Sequence, residues 1–376
     1  MSSTIARRLG VSVLAAGVVL TAAAGCGSSK KAGNTGGTTP SGAAANTAAA
    51  GSPQDAFAQA VANLTAGSAA TVTFKVGATA EQIKSFAAAT GTAAKDMPSD
   101  KALALITGAS FTFTSKAEEG DLKTASTTGK TDTDVAINVG GGPVIDFRYL
   151  GGSKQLFVKV DAPKIATLAG QTVPPAIAQL GANPQYAFIK DALAGKWLEL
   201  QGFQALMQQF AGLAGAAASA SASAPAGGNA DLAAKLLNAL TTDITATDAG
   251  STDQGEHLVL SAPLQKLAGD LQTLVSSVPG GSLAGSKLSS LGNVPDKTVT
   301  IDAYVKDHNL TSLSVDIVQF APADKAAKVA GQHLPLELDF SGSAGDTSAP
   351  SGATPVDLAK LAQQFGPLLA GQLGGK

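Results

Sequence analysis

Apolar and polar residues alternate at a period of two along this chain, and that pattern constrains its fold more than any other feature. Val72, Phe74 and Val76 alternate with Thr71, Thr73 and Lys75, and Val135, Ile137 and Val139 with Asp134, Ala136 and Asn138. Val299, Ile301, Ala303 and Val305 are separated by Thr300, Asp302 and Tyr304; Leu313, Val315 and Ile317 follow, with Ser314 and Asp316 between them. Strands written this way bury one face and wet the other, the mark of antiparallel sheet. Between the last two, residues 306–311 read as a hairpin turn, with Asp307 and Asn309 suited to tight or left-handed positions. Further strands are expected at 109–115, 145–150, 155–161, 196–200, 242–248, 256–261 and 334–341, with glycine-rich turns at 140–143 and 151–153.

Helices fall between the strands. Pro53 opens an amphipathic one carrying Phe57, Val61 and Leu64 at helical spacing. Others are expected at about 80–91, 99–107, 162–169, 203–213, 230–240 and 263–276, and at 174–190 in pieces broken by Pro184. Thr354 as N-cap, Pro355 at the first helical position and Asp357 in the first turn set up a last helix, lined by Leu358, Leu361, Phe365 and Leu368 and bent by Gly366-Pro367. Residues 214–228 are low-complexity and read as a mobile loop. The fold class expected is α+β: a curved antiparallel sheet, a half-barrel, with helices packed on its concave face, spanning 53–345 and followed by the C-terminal helix within 346–376. A strand–helix stretch at 72–86 echoes one at 258–267, each followed by a strand pair (109–115 with 122–139, and 298–306 with 311–319). A duplication and a compositional coincidence both explain that echo.

The N-terminus has its own logic. Arg7 and Arg8 precede an apolar run from Leu9 to Ala24, which reads as a secretory signal. The run ends in Ala22-Ala23-Ala24-Gly25-Cys26, and Cys26 is the only cysteine of the 376 residues. A spanning helix needs about 20 apolar residues, more than this run provides. A buried structural cysteine is disfavoured by the Gly/Ser/Thr tract that follows. The twin arginine points to Tat export only in part, because Gly10 stands where an aromatic residue is usual. Small residues before a cysteine resemble the bacterial lipobox, which implies cleavage after residue 25 and acylation of the Cys26 sulfur. Two or more acyl chains give durable anchoring where one binds only marginally. Residues 26–52 then form a tether with a reach of roughly 25–30 Å. The address implied is the outer face of the cytoplasmic membrane.

Beyond the signal, 24 basic residues face 28 acidic ones, which argues against a nucleic-acid partner and against a polybasic membrane patch. Charged residues make up only 14 % and aromatics 5 %, an Ala/Gly/Thr-rich skew that resembles secreted proteins of high-GC actinobacteria. Arg148 is the only arginine after the signal. With its one cysteine assigned to anchoring, the domain has no disulfide framework and its stability must come from burial.

Lipobox, tether and a sheet wrapped over apolar helices together resemble the LolA-like envelope fold, in particular the mycobacterial LppX/LprG-type lipoproteins. Gly195-Lys196-Trp197-Leu198-Glu199-Leu200 resembles a short tryptophan-bearing strand of that family, and Val294-Pro295-Asp296 leading into 299–305 resembles its late hairpin. The resemblance covers about 70–342; the 214–228 insertion and the extra C-terminal helix depart from it. It implies a hydrophobic pocket between sheet and helices that carries a lipid or lipoconjugate.

Chemistry-bearing motifs are absent. His257, His308 and His333 are far apart, without HExxH or CxxC spacing, and read as solvent-exposed. No Gly-x-Ser-x-Gly occurs, the Ser28…Lys31 pair lies in the tether, the glycine runs lack a phosphate-loop ending, and Glu118-Glu119 sits in a polar turn. The expectation is a non-enzyme without metal or cofactor. Inward-facing Phe74, Phe111, Phe113, Ile137, Phe147, Ile301 and Ile317 are either ordinary core or the lining of an acyl-chain cavity, which small alanine-rich helices favour. Trp197 either anchors the sheet or stands at the cavity mouth. The readings compared are a membrane-tethered carrier of a hydrophobic ligand, a tethered module with a solid core that binds another envelope protein, and an envelope hydrolase.

Overall fold

The computed structural model describes residues 51–204, 244–266, 297–321, 323–361 and 363. The signal, Cys26, the tether up to residue 50, the 214–228 loop and the 230–240 helix lie outside the described residues, as do most of 203–213 and 263–276 and the chain beyond 363. In chain order the elements are α1 (Pro53–Ala66), β1 (Ala69–Val76), α2 (Ala80–Ala89), α3 (Asp100–Thr107), β2 (Ala109–Ala117), α4 (Leu122–Thr128), β3 (Thr131–Val139), β4 (Gly142–Leu150) and β5 (Gln155–Val160). There follow α5 (Ala162–Leu168), α6 (Pro175–Ala182), α7 (Ala187–Leu193), β6 (Leu198–Gln201), β7 (Thr245–Thr252), β8 (Gly255–Pro263), β9 (Thr298–Lys306), β10 (Asn309–Asp316), α8 (Ala323–Ala326), β11 (Pro335–Ser341) and β12 (Thr354–Asp357).

Among the described residues, the strands form one open, curled sheet in the order β12-β6-β5-β4-β3-β2-β1-β11-β10-β9-β8-β7. Every neighbouring pair is antiparallel except β12 with β6. The α+β class read from the alternation is the one observed. In both halves a strand is followed by its antiparallel neighbour and then by that neighbour's next partner, β1-β2-β3 and β8-β9-β10, running the same way across the sheet.

The core lies under α1. Ser52 and Asp55 form a capping box at its start, and Pro53 occupies the first turn, where no amide hydrogen is needed. Phe57, Ala60 and Val61 then bury against Leu258 and Leu260 of β8, Ala303 and Val305 of β9, and Leu310 of β10. Two polar contacts fix the helix across this half of the sheet: Ala246 N–H donates to Gln54 Oε1 (2.9 Å), and Asn63 Nδ2 donates to the His308 carbonyl (2.7 Å). A smaller cluster packs Leu122 and Ala125 of α4 onto Ala117 and Ala70, on the same face of the sheet.

Three expectations change. Residues 122–128 are helix rather than part of a strand pair. Asp121 caps the N-terminus by accepting from Thr124 N–H (2.7 Å), and Gly129 closes it in the left-handed conformation. In the β9–β10 turn Asp307 takes a left-handed position as read, His308 joins it at positive φ, and Asn309 tightens the turn by donating its side-chain amide to the Asp307 carbonyl. Ile317 leaves the strand pattern. Asp316 accepts from both Val318 N–H and Leu334 N–H (3.0 Å each), turning the chain into a 3-10 helix over Ile317–Phe320. Finally, Thr354–Asp357 is not a helix start but a strand parallel to β6: Thr354 N–H donates to the Trp197 carbonyl and its hydroxyl to Asp191 Oδ2 (2.9 Å each). The helical cap is Asp357, which accepts from Lys360 N–H.

Candidate functional site

Because each strand pair has a defined register, the apolar positions line up in transverse rows on the inner face. One row runs Leu258–Ala303–Leu313–Leu338–Phe74–Phe111–Ile137–Ile145–Val160, apolar across nine strands. A neighbouring row runs Phe340–Val72–Phe113–Val135–Phe147–Val158–Leu198. Phe74, Phe111, Phe113, Ile137 and Phe147 are thereby brought onto one surface over β1–β4.

Burial along these rows is uneven. Leu258 and Ala303, under α1, are 0 % exposed. Beyond β1, Phe113 is buried, Phe111, Val135, Ile137, Ile145, Val158 and Val160 are only half-buried, and Phe147 is 41 % exposed. On β4 the usual relation is reversed. Its outward residues Asp146, Arg148 and Leu150 are 9 %, 8 % and 9 % exposed and Phe157 beside Arg148 is 2 % exposed, so the outer side, charges included, is the covered one here and the inner apolar side the more accessible.

The other expected residues are not part of this surface. Ile301 pairs with Leu260 and packs against the core under α1. Ile317 lies in the 3-10 helix after β10. Trp197 is on the opposite, outer side of the sheet, with the Arg148 guanidinium 4.9 Å from its ring centroid, because it has the parity of Glu199, which pairs with Phe157 and so shares the face of Arg148. That contact is a cation–π packing of the sheet's outer surface, not a position at the mouth of the inner one.

The outer face holds a cluster that sequence reasoning missed. Arg148 Nε donates to Asp134 Oδ2 (2.9 Å) and its Nη1 to the Ser348 carbonyl (2.7 Å), with Asp346 Oδ2 at 3.9 Å. Asp146 is pushed up to about 6, first by burial and then by the Asp134 charge, with Arg148 pulling the other way. Its Oδ1 is buried without a hydrogen-bond partner, as is the hydroxyl of Thr347. The one available signal was Arg148, the only arginine after residue 8 in a chain that otherwise uses lysine.

Of the histidines, His257 is half-buried rather than exposed. Its ring stacks on Tyr304 at 4.8 Å, and its Nε2 lies 2.8 Å from Asp302 Oδ1. His308 is in the β9–β10 turn, and His333 Nδ1 pairs with Asp316 Oδ2 at 2.9 Å. Among the described residues no group of three or more His, Cys, Asp or Glu is placed to hold a metal ion, and no helix is long and apolar enough to cross a membrane. A shallow groove of about 590 Å³ lies at the β5–β6 end, lined by residues that include Lys154, Gln155, Glu199 and Gln201. None of the expected ligand residues lines it.

No protein-family model and no curated protein matches the chain. Among solved structures it is similar to the crystal structure of the Mycobacterium tuberculosis lipoprotein LppX, at 8 % identity over 79 % of this chain and 98 % of that one, with a TM-score of 0.30. At that score the two backbones do not superpose closely enough to carry residue roles or a function across.

Proposed function

We propose that this chain is a membrane-tethered envelope lipoprotein, anchored through Cys26, that holds a hydrophobic ligand against the inner face of β1–β5. The observation that carries the reading is the burial gradient: one apolar row crosses nine strands, and its β8–β9 end is fully buried beneath α1 while its β2–β5 half is accessible. Contiguous apolar surface left open in this way marks a binding site. Neither of the two apolar rows carries a titratable or nucleophilic side chain, which favours binding over catalysis. Burying about eight methylenes of an acyl chain there contributes roughly 6 kcal/mol before the entropy of ordering the chain is deducted.

The rival reading, a docking module for another envelope protein, has its own observation. Ile177 and Leu180, one turn apart on α6, are exposed, as is Ile106 on α3. Native mass spectrometry separates the two. Protein lacking the signal and carrying Cys26→Ala, purified without detergent, is expected to hold a lipid-sized added mass, and after delipidation to take up a fluorescent fatty acid. Clean protein that also takes up none excludes the carrier and leaves the module.

A further inference from the structure

Residues 342–353 connect β11, near the middle of the sheet, to β12 at its edge, seven strand-to-strand steps away. At about 4.8 Å per step that is roughly 34 Å, and thirteen residue steps reach at most about 43–47 Å, so the segment has little slack. Its path is fixed by register. Ser341 pairs with Thr71, and the same transverse row continues through Thr114, Asp134, Arg148, Phe157 and Glu199 to Pro355. The segment therefore runs straight over that row on the outer face. It is held there by Thr71 Oγ1 donating to the Ser343 carbonyl (2.7 Å) and by Arg148 Nη1 on the Ser348 carbonyl, and Thr347 is 2 % exposed.

We propose that residues 342–353 form a proton-operated strap, held on the outer face while Asp146 carries a proton and loosened when it ionises. With that proton in place, the cluster of Asp134, Asp146 and Arg148 is neutral as a group. Without it the group carries a net negative charge beneath the strap, and the strap contributes another carboxylate, Asp346, which competes with Asp134 for the same guanidinium. The remaining charges facing the pair are Lys159, opposite Asp146 on β5, and Asp132, further along β3; Lys116 on β2 reaches Asp346. Burial and the neighbouring carboxylate hold the Asp146 proton well above the ordinary aspartate range, which places the change between about 4 and about 6.

Hydrogen exchange of the 342–353 amides in the full chain, corrected for intrinsic rates, tests this. A strap linked to one proton opens about tenfold more for each pH unit between the open-state and closed-state values, and levels off above the latter. Exchange is expected to rise in this way from about pH 4 to about pH 6, and to show no such slope in Asp146→Asn, where an amide replaces the titrating group. Flat corrected exchange in the wild-type chain overturns the proposal on its own. A slope that persists in Asp146→Asn also overturns it; should that variant fail to fold by far-UV circular dichroism, Asp146→Ser, which likewise removes the titrating carboxyl, is read in the same way.

Discussion

Asp146→Asn is expected to stabilise the protein at neutral pH and to do nothing at low pH. Asp146 sits 9 % exposed with one carboxylate oxygen unpartnered, so its ionised form is disfavoured in the folded chain. The unfolded chain releases this proton near 3.8, whereas the native state keeps it to about 6. Between those values the native state binds more protons than the unfolded one, so the wild-type chain loses stability as pH rises through the window and holds a constant deficit above it. At 1.36 kcal/mol per unit, the deficit is about 3 kcal/mol. Asparagine keeps the shape, has no charge to bury and can donate to Asp134. Urea unfolding at pH 7.5 and pH 3.5, wild type against variant, reads the difference directly: a gain of about 2–3 kcal/mol at the higher pH that disappears at the lower. A variant less stable than wild type at pH 7.5 would refute the reasoning, since the carboxylate would then be a net stabiliser of the fold.

Three further outcomes follow from packing and capping. Phe57→Ala, at the centre of the α1 core, should cost about 3–5 kcal/mol in denaturant unfolding, because neighbouring strands cannot collapse into the space. Gly151→Ala places a methyl 2.6 Å from the Gly129 carbonyl oxygen and from Thr131 N and O; these are backbone atoms that cannot step aside, and a clear drop in the thermal midpoint is expected. Ser52→Ala removes one half of the α1 capping box and should cost about 1 kcal/mol in the same unfolding assay.

What the sequence shows and hides divides along physical lines. The alternating strands were legible because an antiparallel sheet separates its two faces: Val299–Val305 buries one of them, while Val72–Val76 and Val135–Val139 keep the period of two with most positions half-buried. Pro184 did break the helical stretch, with a 3-10 turn between α6 and α7. The helix at 122–128 was hidden because only Leu122 and Ala125 are buried on it and its threonines favour strands; the Asp121 cap and the Gly129 stop were the better signals. Thr354-Pro355-Val356-Asp357 carries a good helix-start pattern, yet β6 offers it a parallel partner about 150 residues away in sequence, and that tertiary pairing decides. Ile317 was read from its alternation with Ser314 and Asp316, whereas the Asp316 turn takes it into a 3-10 helix; of the two positions open to Trp197, sheet anchor or cavity mouth, its stacking with Arg148 is on the outer face of the sheet. The Asp134–Asp146–Arg148 cluster was the hardest to see. Charges at outward strand positions read as solvated, whereas Asp146 and Arg148 are buried and Arg148 is bonded to the strap, which arrives from 200 residues away.

Methyl NMR with a spin-labelled fatty acid tests the binding surface most directly, because isoleucines report from every part of the fold. Broadening is expected at Ile137 and Ile145, on the open half of the inner face, while Ile301, packed beneath α1, stays sharp. Broadening confined to the exposed Ile106 and Ile177, or none at all, would contradict an acyl-binding sheet.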